Sequence, residues 1–149
     1  MKLLKVFTAV FLIISLLPTV SRATSPLETE IIRFEDGSYM TVELTVSQTR
    51  SSSKSASKTY HYHNIWGTEE WYATLTGTFT YDGTTSRCTL SGVIIGITDT
   101  SWYIISRDNN EQGDTAYGTI VMGYKLFGIT TDKKTVNMSI TCDKNGNIS

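Results

Sequence analysis

Apolar and polar residues alternate with period two over most of the chain. No stretch beyond residue 23 keeps the i, i+3, i+4, i+7 apolar stripe of a helix for three turns. The clearest alternation covers residues 71–81. Trp71, Ala73, Leu75, Gly77, Phe79 and Tyr81 fall on one side, and Tyr72, Thr74, Thr76, Thr78 and Thr80 on the other. Side chains alternate across a strand, so this segment predicts a central strand with one buried face and one threonine-coated wet face. Met40, Val42, Leu44 and Val46 alternate with Thr41, Glu43 and Thr45 in the same way. So do Val136, Met138, Ile140 and Cys142 with Thr135, Asn137, Ser139 and Thr141. Ala116, Ile120, Met122, Tyr124 and Leu126 share one face of a further strand, with Gly118 as a bulge site. The runs 88–97 and 102–107 are richer in Ile and Val, as strands buried on both faces are.

Turn chemistry separates these runs. Asp36-Gly37, Asp82-Gly83 and Asn145-Gly146 are turn dipeptides, and residues 98–101, 108–114 and 131–134 read as polar connectors. Asp36-Gly37 between 28–34 and 38–49 predicts a hairpin. About eight strands at this spacing predict an all-β fold, a single antiparallel sandwich or barrel-like domain, with the choice between the two closures open. Segment 50–57 has little apolar content and reads as a mobile loop, or as an edge strand guarded by Lys54 and Lys58.

Residues 1–23 follow a different pattern. Lys2 and Lys5 precede a nearly unbroken apolar run over 6–20, and Ser21-Arg22-Ala23 places small residues at −3 and −1 of a cleavage site. The run, about 15 residues ending near Pro18, is shorter than the roughly 20 that span a bilayer core. The expectation is a secretory signal peptide cleaved near Ala23, a secreted domain over 24–149, and no stable membrane span after cleavage.

The chain has 149 residues and a formal charge of −1, which becomes −4 once Lys2, Lys5 and Arg22 are removed. This balance excludes the basic footprint of a nucleic-acid binder. Beyond residue 23 there are 22 threonines and 14 serines, a hydroxyl-rich composition suited to an extracellular β-protein. Cys88 and Cys142 are the only cysteines. An even count in an exported chain predicts that they pair. The bridge would close a loop of about 54 residues, for which chain entropy allows roughly 4 kcal/mol.

Several residues are candidates for chemistry. His61 and His63 flank Tyr62 and share a strand face, about 6–7 Å apart, a half-site for zinc or copper that Glu69 or Glu70 would have to complete. The plainer alternative turns Tyr60 and Tyr62 inward and the histidines to water. Residues 108–114 begin like a calcium loop, but Gln112 and Thr119 fall where an EF-hand needs oxygen ligands of another kind. Tyr72 on the threonine face and Trp66 in a turn-like stretch are the best candidates for an aromatic platform that stacks on a glycan. Trp71 belongs with the core. Neither a nucleophile triad nor a phosphate-cradling loop is present, and the adjacent Glu69 and Glu70 would point oppositely on a strand. No cofactor is implied.

Glu35-Asp36-Gly37-Ser38-Tyr39, Ser57-Lys58-Thr59-Tyr60 and the long run from Thr74 through Leu75, Thr76, Gly77, Thr78, Phe79, Thr80 and Tyr81 to Asp82-Gly83 carry a resemblance. Ser101-Trp102 and Ile140-Thr141-Cys142-Asp143-Lys144-Asn145-Gly146 continue it, and Cys88 falls at a shared position. In these features the chain resembles a family of short secreted proteins of Gram-positive, mostly gut-dwelling bacteria. The resemblance implies a bacterial source and secretion, and carries over no catalytic or binding residue. The histidines at 61 and 63 depart from it. The reading is a non-enzymatic binding or interaction module at or outside the cell surface, with a glycan or a protein as partner. A small carboxylate-dependent hydrolase, or a metal binder using His61 and His63, is the alternative.

Overall fold

A computed structural model of the chain describes residues 29–149, and the expected leader over 1–23 lies outside them. Eight strands follow in order: β1 (Thr29–Arg33), β2 (Tyr39–Arg50), β3 (Ser53–His63), β4 (Glu69–Tyr81), β5 (Ser86–Ile97), β6 (Trp102–Gln112), β7 (Thr115–Leu126) and β8 (Ile129–Thr141). Among the described residues there is no helix. Consecutive strands pair antiparallel, β1 to β5 in a five-stranded sheet and β6 to β8 in a three-stranded one. The break between β5 and β6 decides the closure: two sheets packed face to face.

The predicted alternation of β4 is observed residue by residue. Trp71, Ala73, Leu75 and Phe79 are fully buried, while Tyr72, Thr74, Thr76 and Thr78 are partly exposed on the opposite face. The facing surface comes from β7, whose Ala116, Ile120 and Met122 are likewise fully buried. The sheets approach closely because small residues stand where they meet. A Cβ at Gly77 would lie 3.2 Å from that of Ala116, and one at Gly118 would lie 2.9 Å from Val93 Cγ2 and 3.2 Å from Leu75 Cδ1. Gly118 is therefore a packing glycine; the ladder irregularity of β7 falls at Tyr124/Lys125 instead.

One end of the core is aromatic. Tyr62 stacks on Trp71 with centroids 5.0 Å apart, and Trp102 meets both rings edge-on. Trp102 Nε1 donates to Glu70 at 2.7 Å. Trp71 Nε1 is buried without a hydrogen-bond partner, which costs about 1–3 kcal/mol and marks how strongly packing holds this ring. At the same end Lys134 of β8 reaches Asp36 in the β1–β2 turn at 2.6 Å, tying the two sheets together.

The structure corrects several expectations. Within segment 50–57 only Ser51 and Ser52 form a turn, and the rest is no edge: β3 begins at Ser53 and pairs with β2 and β4 on both sides. Its lysines point to the inner face, Lys54 donating to the Gly146 carbonyl and Lys58 lying across from Leu44 and Leu75. Residues 108–112 extend β6, leaving a tight turn at Gly113-Asp114, and 131–134 belong to β8. In both places pairing with β7 imposes strand on polar residues. Neither β5 nor β6 is buried on both faces, for Leu90, Ile94, Ile104 and Ile105 are all exposed. The predicted disulfide is absent. Cys88 and Cys142 are buried free thiols. Each backbone N–H bonds one residue of the same turn, Cys88 to the Gly113 carbonyl and Cys142 to that of Asp114. Each sulfur is turned to a carbonyl on its own chain segment, Cys88 Sγ to Leu90 and Cys142 Sγ to Asp143.

Two measurements check this arrangement. Burial pushes both thiols above their ordinary pKa. A thiol-alkylating reagent at neutral pH is therefore expected to label the native protein slowly, and to label two thiols without added reductant once it is unfolded. The Lys134 hydrogen bond, helped by Ser38, lowers the Asp36 carboxyl from 3.8 to about 2. A depressed carboxyl pKa contributes stability above the unfolded value, and that contribution is lost as pH falls through the folded one. Thermal unfolding of Asp36→Asn should begin lower than wild type at neutral pH, and the two curves should converge as pH falls from about 4 to about 2.

Candidate functional site

The outer face of the five-stranded sheet carries the residues that packing does not use. Because the apolar half of β4 must point inward, its threonines must point out, and the neighbouring strands obey the same rule. The register sets Thr59 beside Thr74, Ser57 beside Thr76 and Ser55 beside Thr78. Thr59 and Thr74 share a hydrogen bond of 3.0 Å, and Ser55 and Thr78 one of 3.3 Å. Thr76 and Thr89 donate to carbonyls of adjoining strands, Gly92 and Thr78. The result is a floor of hydroxyls spaced by the strand repeat, about 4.8 Å across and about 7 Å along.

Tyr72 lies at one end of that floor. A Cβ at Gly96, its partner on β5, would come within 2.2–2.7 Å of the ring atoms. The ring therefore lies flat across the neighbouring strand with its other face outward. His61 adjoins it on β3, with centroids 5.9 Å apart. Glu69 Oε2 stands 2.7 Å from His61 Nδ1. An ionised carboxylate only accepts, so Nδ1 carries the hydrogen in this pair and Nε2 of a neutral ring is left as an acceptor. His63 lies on the same face, as the spacing predicts, but its ring stacks on Tyr39 with centroids 4.8 Å apart. Its Nε2 is 3.3 Å from the Thr41 hydroxyl and its Nδ1 is 3.4 Å from the Gly67 carbonyl. Tyr60 and Tyr62 are buried on the inner face, as in the plainer of the two readings.

Among the described residues, no group of three or more His, Cys, Asp or Glu side chains is placed to hold a metal ion. Glu69 reaches His61, while Glu70 accepts from Asn64 and from Trp102. The two carboxylates thus serve different partners, one on the outer face and one beside the aromatic end of the core. In the segment that begins like a calcium loop, Asp108 accepts from Asn109 N–H, Glu111 from Ser91 and Asp114 from Thr115. The Ser91 hydroxyl and N–H together hold the Glu111 carboxyl below its ordinary range. A polar cleft of about 460 Å³ lies beside this contact, lined by Thr80, Arg87, Thr89, Glu111 and Gly113 among others.

Trp66 is not brought to Tyr72. It is 84 % exposed on the turn between β3 and β4, where Asn64 Oδ1 accepts from the N–H groups of Trp66 and Thr68. Sequence reasoning missed Tyr39, Thr41 and Gly96 as parts of the site. The last was discoverable, because Gly92 and Gly96 interrupt an Ile/Val run at one parity, the mark of a close approach. Tyr103 repeats the device on the other sheet, flat across Gly123, but Lys125 Nζ sits over it at 4.2 Å. Among these two rings, the outward face of Tyr72 is the one without a cation. No family model, curated protein or solved structure matches the chain.

The two adjacent carboxylates should differ sharply on removal. Glu70→Ala strands the buried Trp102 N–H and is expected to cost about 1–3 kcal/mol in denaturant unfolding. Glu69→Ala should cost less than about 1 kcal/mol, because its pairing with His61 is near the surface. It should instead move the neutral His61 tautomer away from Nδ1–H in heteronuclear NMR.

Proposed function

We propose that this domain is a non-catalytic glycan-binding module acting outside the cell, with the outer face of β2–β5 as its floor. The observation that carries the reading is the ring of Tyr72 laid flat over Gly96 at the edge of a hydroxyl-lined sheet. An aromatic ring held flat presents its negative face to the axial C–H groups of a pyranose, and its pre-set orientation lowers the entropy lost on binding. His61 with Glu69, and the threonine hydroxyls at 74 and 59, supply donors and acceptors at the rim, matching the equatorial hydroxyls of a sugar. A flat open floor suits an extended polysaccharide lying across strands better than a small molecule, which is ordinarily enclosed in a pocket. Glu69 and Glu70 stand apart in their contacts, which supports binding over hydrolysis.

Affinity electrophoresis through gels containing soluble polysaccharides tests this reading, with released reducing sugar assayed in parallel. Retardation without sugar release is expected. Tyr72→Ala should weaken it by at least about tenfold, the order of one lost aromatic contact. Gly96→Val should do the same by lifting the ring. Retardation that survives both substitutions would reject the site, and released sugar would favour the hydrolase.

A further inference from the structure

Cross-strand register arranges the outer face of the five-stranded sheet in rows. The row nearest the β1–β2 and β3–β4 turns is Arg33, Tyr39, His63 and Glu69, one residue from each of four strands. The next is Ile31, Thr41, His61, Tyr72 and Gly96, and the third is Thr29, Glu43, Thr59, Thr74 and Ile94. The rings of Tyr39 and His63 have centroids 4.8 Å apart and planes within 12° of each other. Two rings lying flat and side by side would clash at that separation, so these two stand up from the sheet, face against face. Arg33 sets its guanidinium over the Tyr39 ring, 5.9 Å from the centroid. The three side chains form a raised wall across β1, β2 and β3.

The wall stops the floor along the strands and leaves a path across them, over the second row. That row offers the flat ring of Tyr72 on β4, the His61 imidazole on β3 and the Thr41 hydroxyl on β2, all half-buried. Neighbouring strands lie about 4.8 Å apart, close to the rise of one pyranose in an extended chain. Sugars joined through positions 1 and 4 follow such a line when both bonds of each ring are equatorial. An axial bond bends the chain away from a floor. Charge narrows the ligand further. The three rows hold Arg33 against Glu43 and Glu69, so they have no positive surplus to attract an acidic chain.

We infer that the ligand is a neutral polysaccharide with a diequatorial 1,4-linked backbone, a β-1,4-glucan or β-1,4-mannan. It lies beside the Arg33–Tyr39–His63 wall with one sugar to each strand from Tyr72 to Thr41. The inference rests on the glycan reading above and adds to it the linkage, the charge and the far contact. Tyr72 stacks on the first sugar, and Nε2 of the neutral His61 ring accepts from a hydroxyl of the second. The Thr41 hydroxyl lies 3.3 Å from His63 Nε2. A hydroxyl that donates there keeps its lone pairs as acceptors for the third sugar.

The protein from residue 24 onward, which contains the whole described core, is run through gels holding hydroxyethyl cellulose, glucomannan or pullulan. The first two have diequatorial 1,4-linked backbones, and the bonds of pullulan are axial at C1. Retardation by hydroxyethyl cellulose or glucomannan, and none by pullulan, is expected. Two substitutions then separate the directions in which a chain could lie. Thr41 stands across the strands from Tyr72, whereas Thr78 stands along β4. Thr41→Val should weaken retardation about fivefold, the order of one lost hydrogen bond, and by more than Thr78→Val does. Both replacements keep the side-chain shape on an outer face, and unchanged melting temperatures confirm that each variant is folded. Pullulan retarding as strongly as the β-linked chains would overturn the inference, and so would an equal or larger loss from Thr78→Val. Either result leaves Tyr72 as a glycan platform. Retardation that survives Tyr72→Ala, or that no polysaccharide produces, would reject the glycan reading and this inference with it.

Discussion

Close contact between β4 and β7 is the constraint on which the other features depend. Trp71, Leu75 and Phe79 are large, and they reach full burial because Ala116 and Gly118 stand opposite, with Gly77 on β4 itself leaving room. Interiors pack at crystal-like density, so a larger residue at Gly118 would push apart the sheets and everything set upon them. Once the apolar half of β4 is committed inward, the threonine half has no choice of side. The hydroxyl floor is the other face of the core.

At the start of β4 a register shift overrides that parity, by which Glu69 would face inward with Trp71, and two neighbouring carboxylates take the opposite parts. Glu69 lies on the outer face and meets His61, whereas Glu70 turns to the aromatic end of the core and satisfies Trp102. The register shift between Tyr62 and His63 falls beside them. The same alternation leaves the two aromatic candidates apart, Tyr72 pinned within the sheet and Trp66 carried on a turn. Tyr72 rests in a place prepared for it by Gly96.

Much of the fold was legible in advance. Period-two alternation identified β2, β4, β7 and the second half of β8, and Asp36-Gly37 the first hairpin, because burial of one sheet face is a strictly local pattern. β3 and the polar half of β6 were not, since Ser, Lys and Asn become strand only when neighbours on both sides offer a ladder. The cysteines show a related limit: an even count bears on the opportunity for a bond, but orientation belongs to the folded backbone, and here each sulfur faces a local carbonyl. For the candidate site, parity alone put Tyr72 on the threonine face of its strand and His61 and His63 together on one face of theirs. It was silent on Tyr39, Thr41 and the flat setting of the Tyr72 ring, because cross-strand neighbours lie far apart along the chain.

By itself, then, the sequence determined an all-β chain of about eight antiparallel strands and which side of each patterned strand is apolar. Those properties are set by residue type and by spacing of one or two positions. The tertiary structure alone decided the break into five and three strands, the free thiols and the glycine-backed ring. Each of these is a relation between residues brought together only when the sheets close over their common core, and no local pattern encodes such a distance.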